Sequence, residues 1–410
     1  MILPLLSQIF EEKFIVDNRT PVFLFELKDY NVSLLPPMPT LILQVIAMVL
    51  FQIAVGFLLG FITYHGIIQR QDEHTKYLLG YGIIIPAILY LPFPFIEFFD
   101  IQALALRLGL IAGPLTVTLR CLEAMYGFTP KHAARSLWDY MIHMSFIQYP
   151  RVDPKTGRRV PTSLSSIGHG IRTYIKHSMI NGVIYSFLIP SNFLPLATSQ
   201  PDTNIFIATE ANQILNTLLA ATMISFSLVF SMNGISSIVQ LFGGFQTENS
   251  VDNPIFGSSS PSDFWGNRCN KVIHRGLKQG VYKPVRMATD SRNLATMAAF
   301  VASGIAHEYV WVVMFFRSSH EGDKYVPPFG KSMLFFGWNG VLLVVEHWIG
   351  RERWHDLIKP YPRFLVSLMV VLSALPVGHL FTGDFRHGGY FTSLVTAWPM
   401  LVFERKTQSQ

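Results

Sequence analysis

Apolar residues fill long, nearly uninterrupted windows along the chain, and polar residues collect in the connections between them. A helix needs about 20 apolar residues, at a rise of about 1.5 Å per residue, to cross the roughly 30 Å hydrocarbon core of a bilayer. The pattern therefore predicts about nine transmembrane helices. Their windows are 41–63, 77–95, 101–119, 179–198, 212–241, 294–316, 332–349, 364–381 and 390–403, of which the last is short.

The composition agrees with a membrane protein. Of the 410 residues, 50% are hydrophobic and only 14% are charged, which excludes an ordinary water-soluble domain. The predicted fold class is all-α, a polytopic membrane helical bundle over residues 41–403. A short segment at 1–40 precedes the bundle and a tail at 404–410 follows it. The two cysteines, Cys121 and Cys269, are too few for a disulfide framework, so we expect free thiols.

The charges of the connections predict the orientation of the bundle. Lysine and arginine accumulate in the connections 120–178, 242–293 and 350–363, which are therefore expected in the cytosol. The connections 96–100 and 199–211 carry acidic residues without basic ones and are expected on the lumenal side. Nine spans satisfy this alternation. They predict a lumenal N-terminal segment and a cytosolic C-terminus.

The window 294–316 carries a histidine deep in its apolar run. His307 lies roughly 20 Å from the cytosolic end of the predicted helix, and an ionisable group at that depth suggests a functional site. Ser303 and Gly304 lie on the same helical face, in a run of small residues that predicts close packing against another helix. A catalytic or binding role and a structural hydrogen bond are equally open from these residues alone. Glu308 is rotated by about 100° from His307, and we expect a structural role for it.

A polar, basic segment, DFWGNRCNKVIHRGLKQGVYKP, precedes this window. Lys271, Arg275 and Lys278 recur at helical spacing, which predicts three cations on one face. Such a face can hold the phosphates of a cytosolic ligand or anionic lipid headgroups. Asn270 adds an amide that both donates and accepts hydrogen bonds, and Trp265 has the character of an interfacial anchor.

The motif FWGNRCN, followed after about thirty-five residues by SGIAHEY, resembles the membrane-bound O-acyltransferases, and within them the wax synthase-like branch. NPIFGSSSPSDFWG is similar to the approach to the motif in that branch. The resemblance implies a many-helix membrane bundle that encloses a reaction chamber, with His307 as the catalytic histidine and Asn270 as the motif asparagine. Asn267 and Cys269 stand where the branch usually has arginine and tryptophan.

The resemblance implies an acyl-CoA-dependent O-acyltransferase of the endoplasmic reticulum that esterifies a lipophilic alcohol, with a long-chain alcohol as first choice. Acyl-CoA is then a co-substrate, and we expect no metal, no other cofactor and no nucleic acid, with membrane lipids as further partners. The expected acyl-CoA contacts are Trp265, Arg268, Lys271, Arg275 and Lys278. Diacylglycerol, sterol and terpenoid acceptors stay open, as do a lipid or proton-coupled transporter and a non-catalytic scaffold.

Overall fold

The computed structural model describes residues 19–27, 30–199, 208–316 and 325–405. Most elements are helical. The α-helices are α1 (Pro39–Thr63), α2 (Glu73–Leu79), α3 (Ile85–Tyr90), α4 (Pro92–Phe98), α5 (Leu104–Met125), α6 (Leu137–Ser145), α7 (Leu164–Leu188), α8 (Ala211–Gly243), α9 (Pro254–Gly257), α10 (Pro261–Asp263), α11 (Lys271–Leu277), α12 (Lys283–Thr289), α13 (Arg292–Met314), α14 (Lys331–Ile349), α15 (Arg351–Ile358), α16 (Arg363–Ala374), α17 (His379–His387) and α18 (Tyr390–Leu394). The π-helical turns are Tyr64–Ile68, Gly80–Ile84, Phe264–Arg268 and Lys278–Tyr282, and the 3₁₀ turns are Ile189–Ser191, Leu375–Val377 and Val395–Ala397. The strands are β1 (Val22–Leu27), β2 (Tyr30–Leu35) and β3 (Met400–Arg405).

A helical membrane protein is confirmed, but nine spans are not. Within the described ranges, 6 helices are long and apolar enough to cross a bilayer, or up to 7 if a bent pair counts as one span. They are Pro39–Ile68, Glu73–Phe98, Leu104–Met125, Ala211–Gly243, Arg292–Met314 and Lys331–Ile349, and the bent pair is Glu352–Ile358 with Arg363–Val377.

Two predicted windows have a different extent from the one expected. The helix expected at 179–198 begins at Leu164, and its first half carries Arg172 and Lys176, so it is less apolar than a typical span. The window 364–381 holds the short helix α16, a 3₁₀ turn and the first residues of α17, and its part up to Val377 bends by 116° against α15. The charges of Arg172 and Lys176 explain why the first half of the helix that begins at Leu164 lies outside the predicted apolar window. The break between α15 and α16 explains why the window 364–381 is not one straight span.

The ninth predicted span, 390–403, is wrong. Its residues form the short helix α18, a 3₁₀ turn and the strand β3, with Pro399 between the turn and the strand. β3 pairs antiparallel with β2, and β2 with β1, in a 3-stranded sheet of order β1-β2-β3. The fold is therefore not purely α-helical. The predicted tail boundary at 404 also lies inside β3, while residues 1–18, 28–29, 200–207 and 406–410 of the predicted segments lie outside the described residues.

The sheet also corrects the predicted orientation of the chain ends. Leu34 of β2 pairs with Leu401 of β3, so the residues before the first span and those at 400–405 lie together. Opposite sides of a membrane cannot share one sheet. An even number of crossings between β2 and β3 avoids the conflict, and the 6 spans counted without the bent pair meet that condition.

Helix α13 packs closely against α14, as its run of small residues predicts. A Cβ atom at Gly304 would lie 2.8 Å from the Cα of Met333, so any side chain there would separate the two helices. Helix α5 contains Pro114, which leaves the carbonyl of Leu110 without its helical partner. Gln52 of α1 donates its Nε2–H to that carbonyl at 3.1 Å. A buried polar contact thus joins α1 to α5.

Candidate active site

The imidazole of His307 is held in one orientation by its own helix and by two aromatic rings. Its Nδ1–H donates to the carbonyl oxygen of Ser303, one turn earlier, at 2.8 Å. The ring stacks on Phe336 with centroids 4.4 Å apart and meets Phe381 edge to face at 5.2 Å. Because a carbonyl only accepts, Nδ1 carries the proton and Nε2 of the neutral ring is the free acceptor.

His307 lines a large apolar cavity of about 1270 Å³. Helices α1, α5, α8, α11, α13, α14, α16 and α17 all contribute to its wall. Arg292, at the start of α13, lines it as well, and His307 follows fifteen residues later, about 22 Å along the helix. The cavity therefore runs from one end of α13 to a depth beyond its middle.

Asn270 lines the same cavity and begins helix α11. Its Oδ1 accepts a hydrogen bond from the backbone N–H of Ile273 at 3.3 Å, the bond of a helix N-cap. With Oδ1 engaged, the side-chain NH₂ group is left as a donor. The structure thus brings the two residues predicted as catalytic to one cavity, and it gives Asn270 a structural task that the sequence reasoning missed.

Trp265 lies behind His307 in an aromatic cluster. Its Nε1–H donates to Oδ1 of Asn339 at 3.1 Å, and its ring lies 5.6 Å from Phe336, the ring that stacks on His307. Trp265 also lines the cavity. The contacts connect the FWGNRCN motif to the histidine through one intervening ring.

Glu308 is buried and holds the first turn of α14. Its Oε1 accepts the backbone N–H groups of Ser332 at 2.9 Å and Met333 at 3.3 Å. These are N–H groups that a helix start leaves without partners. The expected structural role is confirmed, since the carboxylate positions the helix that carries Phe336.

Lys271, Arg275 and Lys278, predicted to form one cationic face, do not all lie at the cavity. Of its three members only Lys278 lines the cavity, at the junction between α11 and a π-helical turn. Arg275 instead forms an ion pair with Glu248 and lies over the ring of Tyr149 at 5.0 Å. Lys271 is not part of the cavity wall.

The sequence reasoning missed His274, which lines the cavity between Asn270 and Lys278. Burial, together with the charges of Lys278 and Arg275, lowers its pKa to about 4, so the ring is neutral near pH 7. The polar cavity residues Asn270, His274 and Lys278 follow one another at a spacing of four. That spacing is the signal that could have found His274.

Residues 249–338 match the family described as "Membrane bound O-acyl transferase family". This segment belongs to the membrane-bound O-acyltransferase family. The resemblance predicted from FWGNRCN and SGIAHEY is thereby confirmed for the segment, which includes His307 and Asn270.

Relatives of this family from Arabidopsis thaliana show where the similarity lies. "Probable long-chain-alcohol O-fatty-acyltransferase 7" is 38% identical over 96 residues, which are 22% of this chain and 26% of the relative. "Probable long-chain-alcohol O-fatty-acyltransferase 9" is 30% identical over 127 residues, 28% and 35% of the two chains. "Acyl-CoA--sterol O-acyltransferase 1" is 29% identical over 166 residues, 38% and 45%. The chain thus matches less than half the length of each of these relatives.

Asn267 and Cys269, the two residues that differ from the usual motif of the branch, lie in different environments. Asn267 donates to Oδ1 of Asp263 at 3.1 Å, and Arg268 donates to Oδ2 of the same carboxylate at 2.7 Å. Arg268, expected to contact acyl-CoA, is thus held within the motif loop and does not line the cavity. Cys269 does line it, as a free thiol whose pKa desolvation raises to about 11. The thiol is therefore protonated and unreactive at neutral pH.

Proposed function

We propose that the protein is an acyl-CoA-dependent O-acyltransferase that esterifies a lipophilic alcohol, with His307 as the general base. The observation that carries the proposal is the orientation of His307, whose Nδ1–H is fixed to Ser303 while its ring lines an apolar cavity shared with Asn270. The membership of residues 249–338 in the membrane-bound O-acyltransferase family supports the reaction class.

The proposed reaction transfers one proton through His307. Nε2 accepts the proton of the alcohol as its oxygen attacks the thioester carbonyl carbon. The carbon–sulfur bond then breaks, the protonated imidazole returns the proton to the departing thiolate, and the ester and coenzyme A leave. General-base catalysis of this kind typically contributes about 10²–10⁴-fold to the rate.

Asn270 is proposed to stabilise the oxyanion that forms on the carbonyl oxygen. Its cap bond to Ile273 fixes the plane of the amide, so the NH₂ group has a set direction and needs little reorganisation during the reaction. One preorganised donor to an oxyanion is worth roughly 3 to 4 kcal/mol where measured.

The cavity suggests how the two substrates meet. Lys278 and Arg292 line it, with Arg292 at the start of α13, and both cations can bind the phosphates of coenzyme A. We place this end at the cytosolic face of the endoplasmic reticulum, in keeping with the basic connections. The apolar wall suits an alcohol that arrives from the bilayer, and it excludes water that would hydrolyse the thioester.

A long-chain alcohol is the preferred acceptor, because two of the relatives are named for that activity. A sterol is the second candidate, since a third relative is named as a sterol O-acyltransferase. Both acceptors suit an apolar cavity of about 1270 Å³, so its volume does not separate them.

Membranes from cells that express the chain, supplied with labelled acyl-CoA and a panel of long-chain alcohols and sterols, test the proposal. Wild type should form an ester, and His307→Ala should lower the rate by at least a hundredfold at equal protein level. Cys269→Ala is a matched control in the same cavity and should retain the activity. Equal product from wild type and His307→Ala would refute the assignment of the base.

A further inference from the structure

The cavity continues past His307 toward the end of α13 that lies farther from Arg292. The rings of Phe381 and Phe385 connect His307 to Tyr390 there, in centroid steps of 5.2, 5.4 and 5.0 Å. Phe381, Phe385 and Tyr390 all line the cavity, together with Leu394 of α18. We call this part of the cavity, beyond His307, the far pocket.

Tyr390 gives the far pocket a polar group without a protein partner. Its side chain is only 6% exposed and lines the cavity. No residue in the described parts of the chain hydrogen-bonds to its hydroxyl. The oxygen is open to the cavity and not sealed in by protein, so the oxygen of a ligand can reach it and pair with it.

Thr382 repeats the arrangement on α17. It is 5% exposed, lines the cavity directly after Phe381, and its hydroxyl has no hydrogen-bond partner among the residues that the structure covers. Tyr309 is the contrasting case, because its hydroxyl also belongs to a cavity residue but donates to the carbonyl of Leu89 at 2.8 Å. Tyr390 and Thr382 thus add two hydroxyls, without a partner among the described residues, to a cavity wall that is mainly apolar.

We propose that the far pocket recognises a second oxygen, a hydroxyl or a carbonyl, on the lipid chain that enters it. A plain alkyl chain would leave Tyr390 and Thr382 unpaired, whereas an oxygenated chain pairs with them. The ligand class is therefore a long chain oxygenated away from its reacting end, such as an α,ω-diol or an ω-hydroxyacyl chain. The inference rests on the proposed function for the identity of the two chains, one from the alcohol and one from the acyl donor.

Equilibrium binding to the purified full-length protein in nanodiscs tests the proposal without requiring turnover. The probes are a series of α,ω-diols and the monohydric alcohols of the same lengths. A second arm compares ω-hydroxyacyl-CoA with plain acyl-CoA. At the best length, the preference for the oxygenated chain should fall about fivefold or more in Tyr390→Phe. Thr382→Val should lower it in the same direction.

Tyr309→Phe removes a hydroxyl elsewhere in the cavity and should leave the preference unchanged. The arm in which the preference falls identifies the chain, alcohol or acyl, that occupies the far pocket. An unchanged preference in both arms for Tyr390→Phe, or a wild type with none, would overturn the proposal and leave these hydroxyls to water. A preference that is lost in Tyr390→Phe while wild type forms no ester would support the pocket and refute the transferase.

Discussion

Substitutions of Glu308 distinguish a structural role of its carboxylate from a role as a second catalytic base. The residue follows His307 directly, yet its Oε1 accepts two backbone N–H groups at the start of α14, at 2.9 and 3.3 Å. A hydrogen bond to a charged group contributes roughly 1.5–3 kcal/mol. Glu308→Ala should therefore lower the free energy of unfolding by about 3 kcal/mol or more, while Glu308→Gln, which keeps an acceptor oxygen, should lower it by about 1 kcal/mol.

The assay combines thermal unfolding in detergent with ester formation by the folded fraction. Glu308→Gln should retain activity within about tenfold of wild type, because α14 and its Phe336 stay in place. Loss of a general base would instead reduce the rate by about 10²–10⁴-fold. A normally folded Glu308→Gln protein that is as inactive as His307→Ala would refute the structural reading.

Three further substitutions test other contacts. Asn339→Leu should lower the turnover rate about fivefold or more, because Trp265 loses its hydrogen-bond acceptor behind Phe336. Asn339→Asp keeps an acceptor and should lower the rate less. Equal effects of the two substitutions would contradict this role of Asn339. His274 has a pKa lowered from 6.5 to about 4, so the unfolded state binds its proton first and wild-type stability should fall as pH drops from about 6.5 toward 4. His274→Asn should lessen that fall in a pH series of unfolding curves, and an unchanged pH dependence would contradict it. Gln52→Leu should lower the free energy of unfolding by about 1–3 kcal/mol, measured against the surface control Gln69→Leu, since two α5 carbonyls lose their donor.

The sequence predicted the parts of the site that depend on local spacing. Ser303, Gly304 and His307 share a helical face, and its small residues predicted close packing against another helix, which is α14 at Gly304. The 100° rotation of Glu308 likewise predicted a partner other than the cavity, which the structure supplies in α14. Both inferences needed only the positions of side chains around a single turn of one helix.

Features that depend on distant pairing could not be predicted. The apolar run at 400–403 suits a strand as well as a helix, and only its pairing with β2 decides between them. Arg275 has the spacing of a ligand-binding face, but Glu248 lies beside it in the fold and forms an ion pair with it. Gln52 pairs with carbonyls near Pro114, more than fifty residues away along the chain.

The most direct test of the account is a structure of the protein with a non-hydrolysable acyl-CoA analogue and an alcohol bound together. We predict that the alcohol oxygen lies within roughly 2.6–3.2 Å of Nε2 of His307, close to the carbonyl carbon of the analogue. We also expect the NH₂ group of Asn270 to face the carbonyl oxygen. An alcohol bound with its oxygen out of reach of His307, in an otherwise complete complex, would contradict the central claim.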